Sequence, residues 1–295
     1  MARKTIKKER DYLAIWSDWL NGRDRPLRLL SYPIILSFIA TCSSPPNLLD
    51  QVIERGELHV VTLDSATTFY QDGDDMVGPE YDLVAGLAES LDVKLVIKTV
   101  NKFADIQPAL ESGQVHLAAA GLTPSVSSQE KMNFGYPYAN VDTHLIYKRG
   151  TVKPQSMEDL IGRVIEVTTE SDHQETLSIL KQDHPNLIWS INTQVDVHEL
   201  LNKVNREEVD FTIADSNEFA LQRHTQPELR IAMNLKKNNP LAWAYRQDNS
   251  RRLMEHADNY LIEAEREGLI AQINERYYGH AESLDYVDTR TFIEH

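Results

Sequence analysis

The sequence predicts an α/β fold built as two lobes with a cleft between them, and three observations carry that prediction. A chain of 295 residues is long enough for about two domains of ordinary size. From residue 48 onward, short β-branched runs alternate with amphipathic helical stretches, the signature of a layered α/β sheet. That rhythm occurs twice, and a polar stretch containing glycine and proline, Arg149 to Pro154, separates the two rounds. Hydrophobic residues at 41% and charged residues at 25% fit a chain with a packed core.

The first round opens with Leu58 to Leu63, which reads as a buried strand. Asp72-Gly73-Asp74-Asp75 lacks the spaced ligands of a calcium loop and reads as a solvated hairpin tip. Tyr81 to Leu91 follows as a helix with Leu83, Val84, Leu87 and Leu91 on one face, then Val93 to Thr99 as a strand whose Val93, Leu95 and Ile97 alternate inward. Ile106 and Leu110 mark a short helix ended by Gly113, and Val115 to Ala120 forms the next strand. Asp142 to Lys148 is a strand that leads to the polar crossing.

In the second round, strands at Val164 to Thr168, Leu187 to Ser190 and Val209 to Ala214 alternate with helices at Gln174 to Lys181 and Val197 to Val204. Strands near Arg230 to Met233 and Leu241 to Tyr245 return the chain to the first lobe. Arg251 to Tyr278 closes it as one helical region with a dip at Gly268. The expected division is 48–148 for the first part of lobe 1, 149–238 for lobe 2, 239–280 for the return and closing helix, and 281–295 for a join to a further domain that this chain lacks.

Residues 1–47 stand apart. Arg23, Arg25 and Arg28 precede an apolar run from Leu29 to Ala40, which is too short to span a bilayer and long enough for the apolar core of a secretory signal. Ile39-Ala40-Thr41-Cys42 resembles a bacterial lipobox, in which the cysteine is lipidated. A periplasmic location with a membrane tether through Cys42, on the outer membrane of a Gram-negative cell, is therefore expected.

Charge and composition remove several functions. With 45 acidic against 30 basic residues the net charge is −15, which repels a polyanion, so nucleic acid is not an expected partner. Cys42 is the single cysteine, which excludes an internal disulfide framework and any CxxC site. The ten histidines include no HExxH and no closely spaced pair, so neither metal nor cofactor is expected. Glu80 and Glu170 read as solvated surface carboxylates rather than a glycosidase pair, and no catalytic residue is expected.

Three motifs in order, Gly78-Pro79-Glu80-Tyr81-Asp82-Leu83, Ala119-Ala120-Gly121-Leu122-Thr123 and Phe134-Gly135-Tyr136-Pro137-Tyr138, resemble the family 3 bacterial extracellular solute-binding proteins. Val209 to Ser216 supplies a second-lobe counterpart, and Glu267 to Ile270 with Tyr277 to His280 resembles the family's terminal helix. The resemblance implies a type II periplasmic-binding-protein-like fold and a small polar ligand held in the cleft. The stretch from Tyr277 to Phe292 is also similar to the join of lytic transglycosylases that fuse such a domain to a lysozyme-like one. That likeness implies a sensor or regulatory module, with peptidoglycan, a muralytic domain or a permease as further partners.

In amino-acid-binding members an arginine forks onto the ligand's carboxylate and a second-lobe aspartate pairs with its ammonium. The arginine position falls on Ser128, and the aspartate survives as Asp215. Among the ligand classes the resemblance implies, an amino acid, a muropeptide or a sugar fragment, the missing arginine favours one bearing an amine or many hydroxyls, such as a cell-wall peptide or sugar fragment, over a plain α-amino acid. Two roles fit Asp215, ligand binding and capping of the next helix. Gly121 and Thr123, at a strand end, fit either a ligand loop or a turn that needs glycine. Ser171 and Asp172 fit either an anion-facing helix start or plain capping. Tyr70 and Tyr81 are the candidate aromatic walls of the cleft.

Overall fold

A computed structural model of the chain describes residues 47–168, 172–223 and 225–279. Helix α1 (Leu48–Arg55) starts from Asn47, whose side chain accepts from the Asp50 N–H, and ends at the left-handed Gly56. Strand β1 (Glu57–Leu63) leads to a hairpin, β2 (Tyr70–Asp72) and β3 (Asp75–Val77), with Gly73 and Asp74 at its tip as expected. Helix α2 (Pro79–Ser90) begins two residues before the sequence expectation because Pro79 occupies its first turn behind Gly78. Strand β4 (Lys94–Val100), helix α3 (Ile106–Glu111), strand β5 (Leu117–Ala118) and the single-turn α4 (Val126–Gln129) complete the first round.

Strand β6 (Asn133–Lys148) is far longer than the strand expected from Asp142. The second round holds β7 (Ile165–Thr168), α5 (Asp172–Asp183), β8 (Ser190–Asn192), α6 (Val197–Asn205), β9 (Phe211–Asp215) and α7 (Ser216–Gln222). The two strands expected on the return are one strand, β10 (Leu229–Tyr245). Helices α8 (Arg251–Arg266) and α9 (Leu269–Tyr278) are separated by Gly268, at φ 79°.

Eight of these strands form one sheet in the order β4-β1-β5-β10-β6-β9-β7-β8. Antiparallel β6 and β10 pair from Leu229 opposite Lys148 to Tyr245 opposite Asn133, with several register shifts. They join a parallel trio, β4-β1-β5, on one side to a parallel trio, β9-β7-β8, on the other.

Helices cover both faces of each half, and strand alternation explains how. In β1, Leu58 and Val60 enter the core with α2, α8, α9 and Trp243, while Val61 and Leu63 enter the opposite core with Ile106 and Leu110 of α3. In β6, Leu145 faces Leu177 of α5 whereas Ile146 faces Val197, Leu201 and Val204 of α6. Each half is thus a two-faced α/β layer. The ends of its parallel strands are the places where open sheets of this kind present ligand-binding groups.

Candidate functional site

In the first half the loops after β1 and β5 meet the start of α2. Gly121 turns the chain at φ 61°, and its N–H donates to Glu80 Oε1 at 2.9 Å. The Glu80 carboxylate also accepts from Trp243 Nε1 at 2.8 Å and from the Tyr138 hydroxyl. Glu80 is only 4% exposed, which corrects its expected place on the solvated surface. The cause is local: α2 starts at Pro79, so Glu80 lies in its first turn and its side chain runs under the Gly121 turn. Burial pushes its pKa up, against the downward pull of the three donors.

The other expected first-half residues surround this frame. Thr123 is half-buried beyond the turn, and the preceding Leu122 carbonyl accepts from the Ala242 N–H at 2.9 Å. The Ser128 hydroxyl accepts from the Ser125 N–H at 2.8 Å, while Ser125 Oγ accepts from the Ser128 N–H at 3.1 Å, so the position expected of an arginine caps its own short helix. Tyr70 is half-buried in the hairpin. The ring of Tyr81 packs on Phe69, with centroids 5.8 Å apart. A cavity of about 30 Å³ lies among Thr67, Glu80, Tyr138, Asn217, Asn274 and Tyr278, room for about one water molecule.

In the second half, Asp215 ends β9 at the start of α7, and Asp172 and His173 open α5 just beyond β7. Asp215 Oδ1 accepts from Thr143 Oγ1 at 2.7 Å, and Thr143 Oγ1 accepts from Asn239 Nδ2 at 2.8 Å. Nε2 of His173 stands 3.4 Å from Asp215 Oδ1, with the two side chains 4% and 12% exposed. Burial alone would push the His173 pKa down. Asp215 and then Asp172 outweigh it and hold the imidazole at about 10. Burial pushes Asp172 up and Glu218, whose Oε2 accepts from the Asp215 N–H at 2.8 Å, up to about 7.

The fold therefore brings Asp172 and Asp215 together and adds His173, Thr143, Asn239 and Glu218, which sequence reasoning passed over. The available signal for His173 was its place after a strand end, beside residues already singled out. Ser171, Glu170 and Cys42 lie outside the described residues. Chemically, a buried group of carboxylates facing one imidazole suits a bound cation or ammonium group.

The model of the bacterial extracellular solute-binding proteins, family 3, matches residues 58–280. Membrane-bound lytic murein transglycosylase F of Pseudomonas putida is 34% identical over 275 residues, 92% of this chain and 56% of the relative. The protein of the same name from Aliivibrio fischeri is 35% identical over 253 residues, 85% of this chain and 51% of the relative. The chain thus spans about half the length of the curated relatives it matches. An ancestral arginine-binding protein bound to arginine superposes with a TM-score of 0.67 at 25% identity, over 76% of this chain and 99% of that one. A substrate-binding protein of an amino acid ABC transporter from Streptococcus pneumoniae, bound to L-arginine, gives 0.68 at 23% identity, over 78% and 97%. These superpositions match the two-lobed type II architecture expected from the motifs.

Proposed function

Because the chain belongs to the bacterial extracellular solute-binding proteins, family 3, we propose that it binds a small amine-bearing solute, an amino acid or a cell-wall peptide fragment, between the two halves of its sheet. The observation that carries this reading is the buried carboxylate of Asp215 at the end of β9, with Asp172 beside it. An ammonium group is the natural partner of such a site. The absence of a guanidinium at Ser128 supports a solute whose carboxylate is held by backbone donors or is blocked in a peptide bond. The ancestral arginine-binding protein, whose structures hold arginine or glutamine, supports an amino-acid-like head group.

In this reading the solute touches both halves, so the closed form gains contacts that the open form lacks, and occupancy becomes a mechanical signal. The relatives' name supports a place for that signal in controlling peptidoglycan cleavage at a membrane. The chain itself supplies recognition, and the bond-breaking step belongs to a separate catalytic domain. Tethering through Cys42 at the outer membrane is part of the same proposal.

A thermal-shift screen against amino acids, muropeptides and peptidoglycan sugars tests it. A solute bound only by the folded state adds about 2.7 kcal/mol at 100 times its dissociation constant. An amine-bearing hit that loses at least tenfold in affinity in Asp215→Asn is expected. Silence across the panel, or full affinity in that variant, overturns the reading.

A further inference from the structure

One ligand atom from each of Asp172, His173 and Asp215 lies within 4.8 Å of the other two. His173 is 4% exposed at its side chain, and neither ring nitrogen has a hydrogen-bond partner among the described residues. The buried Asp172 Oδ2 is likewise without one. The 3.4 Å from His173 Nε2 to Asp215 Oδ1 is too long for a charge-assisted hydrogen bond, which closes to about 2.7–2.9 Å. It matches the separation of two donors on one tetrahedral ion, since bonds of about 2.0–2.2 Å hold their donors roughly 3.3–3.6 Å apart.

From this geometry we propose that Asp172, His173 and Asp215 form a zinc site at the ends of β7 and β9. One imidazole and two carboxylates are a mixed nitrogen and oxygen set suited to zinc, whereas calcium and magnesium demand six or more oxygens, several of them from water in the case of magnesium. Thr143 Oγ1, itself held by Asn239, donates to that same Asp215 Oδ1, as the outer partners of metal ligands do. Three protein ligands leave the fourth position to water or solute. The sequence expectation of no metal rested on the local spacing of histidines, whereas this site pairs two neighbours on α5 with Asp215 from the distant end of β9.

Zinc on Asp215 withholds that carboxylate from an ammonium group. Zinc and the amine-bearing solute therefore compete, a consequence that rests on the function proposed above, whereas zinc binding itself does not.

Equilibrium dialysis of the full chain against zinc chloride, followed by metal analysis, tests the site without any organic ligand. The expected result is about one zinc retained per chain, a higher melting temperature, and visible absorption of tetrahedral type when cobalt replaces zinc, with magnesium inert. His173→Ala and Asp172→Asn are each expected to weaken zinc at least tenfold and to remove the cobalt band. The second variant keeps side-chain shape and serves as the readout if the first does not fold. No retained zinc, no cobalt band, or unchanged affinity in both variants, which would assign the ion to surface histidines, overturns the proposal. Zinc binding with no solute hit overturns only the solute reading, and the converse overturns only the zinc site.

Discussion

A buried carboxyl group with three donors around it holds the first-half loops in place. Glu80→Ala leaves the Gly121 N–H and Trp243 Nε1 without their acceptor, and burial of unmatched donors costs roughly 1–3 kcal/mol each. Urea denaturation is expected to show a loss of about 2–4 kcal/mol, and a loss below about 1 kcal/mol would show that the loop does not depend on this side chain. His116 gives a second test at this scale. It is 2% exposed, and its Nδ1 accepts from the His59 N–H at 2.9 Å. Burial pushes its pKa down to about 4, helped by repulsion from His59, Arg55 and Arg246. The unfolded chain therefore takes up a proton near the ordinary value of 6.5 while the folded chain resists it. Stability is full above that value and falls as pH drops toward 4, by roughly 2–3 kcal/mol between about pH 7 and about pH 4.5. His116→Asn keeps an acceptor and removes the titration, so its denaturation midpoint is expected to lose that part of the pH dependence. An unchanged slope would assign the acid sensitivity elsewhere.

Among the elements, helices with a clear apolar stripe were legible in the sequence. Val197, Leu200, Leu201 and Val204 are all buried on α6 as their spacing requires. The two long strands were not. Pro137 interrupts the reading of β6, because proline is a poor central-strand residue, and it sits where the pairing with β10 shifts register near Ala242. The bulges that absorb such shifts also split β10 into two apparent strands. In the site, Asp215 and Asp172 were legible from strand ends and motifs, while Glu80 and His173 were not. Charged side chains read as solvated until the packing that encloses them is known. Two glycines separate local strain from close approach. A Cβ at Gly78, at φ 140°, would lie 2.3 Å from the Thr68 carbonyl oxygen, whereas one at Gly268, at φ 79°, meets nothing within 4 Å. Gly268→Ala is expected to cost about 1 kcal/mol and Gly78→Ala about 3 kcal/mol or more. Equal losses in thermal melts would refute that distinction.

For the whole molecule, the sheet continues through both halves because β6 and β10 belong to each. Neither half can lose these strands without exposing the core of the other. Unfolding should therefore be a single transition, with Trp243 in the first-half core and Trp189 packed against the second-half core reporting the same midpoint. Two midpoints, read from single-tryptophan variants in urea, would mean that the halves unfold independently. The end of α9 also has a practical use. Tyr277 binds the Gly78 N–H and Asp82, and the Tyr278 hydroxyl reaches the Thr67 carbonyl at 3.4 Å. Gly279 follows directly on the two side chains that hold the loop after β1 and the start of α2. A fluorescent dye coupled there would sense rearrangement of those loops without occupying them, which makes this position the natural place to turn the protein into an optical biosensor.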